Sequence, residues 1–207
     1  MFIFKVARSN KILGKGVCVM LIVLFLSFWT GEALANHVSG SGYVSSGHLT
    51  SDGNVNRCHS GSYSSEAQYA SGTWSTVTTN KLNMYYNCSN VEIRTKSIDL
   101  GVASPLGYVV ICPPVPYVCL NAYTGAGSNT NLDTVWVYSE AILNSNSSAL
   151  GGAGSTANNR RHTFLHEMGH GLTSLAHRSE SGAVMRQGKL NNITPISTEI
   201  SLMEAKY

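Results

Sequence analysis

The sequence predicts an α+β domain, on three observations. Its 207 residues suit one domain with a short extension. Period-2 and short apolar segments lie in the middle of the chain, between residues 82 and 143. Helix-like segments flank them, near residue 64, near residue 160 and at the C-terminus. Strands grouped apart from helices read as α+β rather than as alternating α/β units.

The N-terminus reads as a targeting signal. Lys5, Arg8, Lys11 and Lys15 form a basic region, and Gly16 to Trp29 is almost wholly apolar. That run is about 14 residues, short of the roughly 20 that a spanning helix needs. Ala33-Leu34-Ala35 then offers the small residues of a cleavage site, so residues 1–35 are expected to leave and Asn36 to start the mature chain. No stable membrane insertion is expected after cleavage.

The elements follow in order. Residues 36–63 contain Gly, Ser, Asn and His without apolar periodicity and are expected to be irregular. The remaining chain, 64–207, forms the main domain. From Ser64, Ala67, Ala70, Trp74 and Val77 fall at helical spacing. Leu82, Met84 and Tyr86 alternate, as do Val91, Ile93 and Thr95. Tyr108 to Ile111 is a short apolar run that suits a buried strand. Thr134 to Leu143 is β-rich, with Val135, Val137 and Ser139 opposite Trp136, Tyr138 and Glu140. A polar loop from Asn144 to Asn159 leads to the strongest helix, about Asn159 to Leu172. A last helix begins near Ser197 or Thr198, with Ile200, Met203 and Tyr207 on one side.

Charge and cysteine usage narrow the function. The signal holds four Lys/Arg and one Glu, which leaves ten basic and ten acidic residues in the mature chain. A net-neutral domain gives no reason to expect nucleic acid or an anionic membrane surface as partner. A monomer is expected. Cys18 leaves with the signal, and Cys58, Cys88, Cys112 and Cys119 suggest two disulfides in an exported protein. Three pairings are possible; loop closure favours Cys112–Cys119, leaving Cys58–Cys88.

The chemistry lies in His166-Glu167-Met168-Gly169-His170. Two histidines at i and i+4 on a helix are offset by only about 40°. Both rings therefore reach one zinc ion, about 2.0–2.1 Å from each nitrogen. Glu167, one step round the helix, is placed to accept a proton from the zinc-bound water and pass it to a leaving amine. Catalytic zinc usually takes three protein ligands, and His177, His162, Glu180, Glu199 and Glu204 are candidates for the third. A rigid helix holds His162 one turn away, about 6 Å, so a supporting or exposed position is expected for it. His177 binds only if the helix stops soon after His170, because eleven helical residues span about 16 Å.

The stretch His166 to His177 resembles the long zinc motif of metzincin peptidases, HExxHxxGxxH, and in particular the matrixin-like ones. Ser181-Gly182-Ala183-Val184-Met185-Arg186-Gln187-Gly188 is similar to that family's Met-turn. The resemblance is specific over about residues 160–207 and diffuse over 64–143. It implies a zincin-like fold: a twisted mixed sheet with a backing helix, an active-site helix and a C-terminal helix. It implies a secreted zinc endopeptidase with His166, His170 and His177 as ligands, Glu167 as general base, and Met185 as an apolar floor. It implies an extended peptide substrate paired along an edge strand near Thr134–Ile142. Calcium, common in the family, has no support in the isolated Asp52, Asp99 and Asp133.

Two departures stand out. The third histidine comes one residue late. The family's helix-ending glycine falls at the Thr173-Ser174 step, where neither residue is glycine. Either the insertion relieves the need for glycine, or Gly171 starts the break earlier. The insertion also motivates an alternative reading, a weakly catalytic or non-catalytic secreted adhesion or cell-wall module. Cys58 after Arg57 would suit a latency thiolate, but a disulfide is the simpler expectation.

Overall fold

The computed structural model describes residues 49, 52–79, 81–102, 105–112, 119–121, 135–146 and 156–207. The chain divides into two units, Met1–Leu34 and Ala35–Tyr207, and the description concerns the second. The expected signal peptide lies outside the described residues. No helix among those described is long and apolar enough to cross a membrane.

Six strands and three helices appear among the described residues: β1 (Asn54–Ser60), α1 (Ser64–Val77), β2 (Asn83–Tyr86), β3 (Ile93–Ile98), β4 (Gly107–Cys112), β5 (Leu120–Asn121), β6 (Tyr138–Asn144), α2 (Ala157–Thr173) and α3 (Ser197–Glu204). They form one mixed sheet in the order β2-β1-β3-β6-β4-β5. The first four strands run parallel, and β4 pairs antiparallel with β6 on one side and with β5 on the other. The α+β expectation therefore holds.

The expectation of an irregular segment over 36–63 is corrected by β1, which sits between β2 and β3. Its only apolar buried residues are Val55 and Cys58. Apolar alternation is missing because Arg57 and His59 take positions where a typical strand has aliphatics. Backbone pairing on both edges and the Cys58–Cys88 disulfide hold it instead. The second disulfide, Cys112–Cys119, completes the pairing that loop closure favours. Cys58 is thus no free thiolate. Two disulfides suit an oxidising, extracellular setting.

The edge-strand expectation for Thr134–Ile142 is also corrected. Over its described residues the regular strand is β6, and it lies inside the sheet, parallel to β3 and antiparallel to β4. Ala141, Ile142, Leu143 and Asn144 are all buried, as both faces of a central strand must be. Trp136 sits apart, in an isolated bridge to Leu49.

The core lies between the sheet and the two long helices. Trp74 of α1 is fully buried and its indole N–H donates to the Leu165 carbonyl at 3.1 Å, which docks α1 on α2. Helix α2 begins two residues earlier than its apolar pattern suggests, because Thr156 caps it. The Thr156 hydroxyl accepts from the Asn159 amide, and the Asn159 side chain accepts from the Thr156 amide. Such a cap contributes about 1 kcal/mol.

Candidate metal centre

From His162 through Thr173 every residue of α2 is buried, polar ones included. Burying a polar group costs free energy unless it is hydrogen-bonded, so the use of each one matters. His166 Nδ1 donates to the Val184 carbonyl at 2.9 Å. His170 Nδ1 donates to the Leu175 carbonyl. A carbonyl only accepts, so each ring carries a proton on Nδ1, and in the neutral tautomer its Nε2 is the lone-pair atom a metal would take.

These Nε2 atoms converge with a third. His166 Nε2 lies 3.2 Å from His170 Nε2, and His177 Nε2 lies 3.1 Å from each. Ligand atoms of a tetrahedral zinc stand about 3.3 Å apart. With both rings neutral and their protons on Nδ1, the facing nitrogens of His166 and His170 would have no proton to share, and a cation between them would satisfy both. The donor set therefore fits a metal ion. It is the only group of three or more such side chains among the described residues with metal-holding geometry.

His177 reaches this point because α2 stops in time. Thr173 is the last helical residue, and Ser174 takes a left-handed conformation at φ 53° and ψ 39°. Its amide donates to the His170 carbonyl at 2.8 Å, and the Leu175 amide donates to the Gly169 carbonyl at 3.2 Å. The next two carbonyls are capped from outside the helix. Gly171 receives the Trp136 indole at 2.8 Å, and Leu172 receives the Leu49 amide and the Tyr207 hydroxyl. Neither anticipated way round the missing glycine occurs. The helix runs through Gly171, and Ser174 adopts the left-handed turn itself, at a cost of about 1–2 kcal/mol.

Glu167 is 3% exposed, and burial pushes its carboxyl well above the ordinary glutamate range. It packs against Gly107 of β4. A Cβ there would stand 2.8 Å from Glu167 Cγ and Oε1, so only glycine lets β4 come this close. Sequence reasoning missed Gly107. A glycine opening an otherwise apolar strand run was the available signal.

Met185 is fully buried and packs on α2 at Gly169, where an added Cβ would meet its sulfur at 2.5 Å. Its turn is held by Glu199, also missed as such. Glu199 Oε1 accepts from the Met185 amide at 2.8 Å; Oε2 accepts from Ile196 at 2.8 Å and Val184 at 3.2 Å. Burial still leaves the Glu199 carboxyl above its usual range despite these bonds. The other third-ligand candidates are engaged elsewhere: Glu180 pairs with Arg178, and Glu204 accepts from Thr79. His162 is buried and bonded through Nδ1 to the Asn192 carbonyl at 2.8 Å, a supporting position.

No protein-family model matches this chain, and no curated protein matches it.

Proposed function

We propose that this protein is a secreted, zinc-dependent endopeptidase, similar in fold and site to the matrixin-like metzincins. The observation that carries the reading is the closure of three imidazole nitrogens to 3.1–3.2 Å of one another, beside a buried glutamate on the same helix. Three neutral nitrogen donors suit zinc and leave a fourth position for water or substrate. When bound, zinc supplies a Lewis acid that polarises the scissile carbonyl and acidifies the attacking water.

Glu167 would accept a proton from an attacking water and return it to the leaving amine, so that one water adds across one peptide bond. A carboxyl whose pKa is raised by burial is suited to both halves of this transfer. The close contact at Gly107 sets β4 directly beside Glu167. With β6 paired on both edges and β5 covering only Val110 and Ile111 of β4, an extended peptide would run along Gly107 to Val109. Sheet order, active-site helix, Met185 turn and C-terminal helix all support a zincin-like arrangement.

The test is zinc content by atomic emission together with cleavage of casein or a peptide library, with and without chelator. Stoichiometric zinc with chelator-sensitive cleavage is expected. Full zinc without cleavage would favour the adhesion-module reading. The late third histidine motivated that reading, yet the structure keeps His177 in the triad. His177→Ala should lose stoichiometric zinc; retention would remove His177 from the ligand set.

A further inference from the structure

The Arg57-Cys58-His59 stretch has no part in the metal centre, and the fold gives it another setting. Strand alternation turns Cys58 away from Arg57 and His59. These two line a cavity of about 500 Å³ with Gly61, Ser64, Gln68 and Tyr86. No acidic residue is among its described lining. The Arg57 guanidinium stands 5.4 Å from the Tyr86 ring centroid. Among the described residues it has no ion pair. In contrast, Arg160 pairs with Glu66 and Arg178 with Glu180. Burial lowers the Arg57 pKa, as expected where a cation loses water without gaining an anion.

The walls are fixed rather than incidental. The register sets Arg57 beside Tyr86, the Asn87 amide donates to the Arg57 carbonyl at 2.9 Å, and the Cys58–Cys88 disulfide closes the same segment onto β1. His59 is spent on the wall: its ring bonds Thr95 Oγ1 at 3.0 Å and the Ser62 carbonyl at 2.9 Å. The groups left for a ligand are the guanidinium, the Ser64 hydroxyl, the Gln68 amide and the tyrosine ring. The cavity also lies at the carboxyl end of two parallel strands joined through a helix, where open sheets commonly bind ligands.

We propose that this cavity is a carboxylate-binding site, with Arg57 forming a two-pronged pair to the anion and Tyr86 flanking it. Guanidinium matches a planar carboxylate through two parallel N–H···O bonds. The ligand class is a carboxylate-bearing side chain or chain end, taken up independently of the metal centre.

The full protein is titrated with N-acetyl-glutamate amide, which carries a single carboxylate, and Arg57 Nε–H and backbone shifts are followed by NMR. N-acetyl-glutamine amide and inorganic phosphate are titrated in parallel. Saturable binding near about 1 mM is expected, a typical scale for one charged contact. Shifts should centre on Arg57, Ser64 and Tyr86, with the neutral amide at least about tenfold weaker. Arg57→Gln should lose about tenfold in affinity at unchanged zinc content. The wild-type contrast between the acid and its amide decides the matter even if that variant folds poorly. Equal response to acid and amide, no saturation, tighter binding of phosphate, or full affinity in a folded Arg57→Gln protein would each overturn the assignment.

Discussion

Two buried glutamates mark two regions of this molecule with opposite designs. Under the Met185 turn, Glu199 accepts three backbone amides from Val184, Met185 and Ile196. Between α2 and β4, Glu167 is pressed against Gly107 beside the three imidazoles. Burial raises both carboxyls. A carboxylate whose oxygens are taken by fixed amides fastens a turn. One set against a glycine wall, next to three histidines that could hold a metal ion, would be placed to move protons. Burial alone does not distinguish the two; the surrounding donors do.

The largest expected effect tests the Glu167 side. Glu167→Gln should keep zinc and fold normally while turnover falls by about 10²–10⁴-fold, the usual worth of general acid–base catalysis. Unchanged proteolysis at full zinc occupancy would end the mechanistic half of the comparison.

Glu199→Gln tests the other side. It keeps one acceptor and turns an NH2 toward amide donors, leaving buried N–H groups unpaired. A loss of roughly 2–3 kcal/mol is expected in denaturant melts. Val184 also receives His166 Nδ1, so zinc affinity in chelator competition should drop by about 10–100-fold. A stability cost equal to that of Glu167→Gln would erase the distinction.

Ser174→Gly is expected to stabilise. It removes a left-handed non-glycine residue at φ 53° and a buried hydroxyl with no hydrogen-bond partner. The gain should be about 1 kcal/mol, or roughly 2–4 °C in melting temperature, at unchanged zinc content. A loss of stability would mean that the turn does not need glycine's freedom.

The smallest effect concerns a third carboxyl, Glu66. Burial pushes it up, but hydrogen bonds from Ser65 and Arg160 outweigh that and leave it below the ordinary range. Stability from this group is therefore present above about pH 4.5 and lost as pH falls through the lower folded value. Glu66→Gln should flatten the acid limb of a stability–pH curve by less than about 1 kcal/mol. An unchanged acid limb would show that the Arg160 pair contributes nothing.

The parts of the fold legible in the sequence were those with strong local periodicity. Helix α1, helix α2 and strands β2 to β4 follow from the spacing of residues such as Ala67, Ala70, Ile93 and Thr95. Strand β1 was illegible because Arg57 and His59 face a polar cavity, which breaks the apolar alternation. The edge position assigned to Thr134–Ile142 failed for another reason. Strand order depends on which strand returns outside which, and nothing local to β6 records that β4 pairs on its outer side.

The same division runs through the candidate site. His166, Glu167 and His170 belong together by sequence alone, because helix geometry fixes residues one turn apart without help from the rest of the chain. Whether His177 joins them was decided by tertiary structure. The helix ends only because Ser174 turns left-handed, while Trp136, Leu49 and Tyr207 satisfy the carbonyls it leaves open. Gly107 and Glu199 likewise acquire their roles from partners far away in sequence. Contacts within one turn are set by backbone geometry, whereas contacts across the fold depend on packing that no short stretch of sequence encodes.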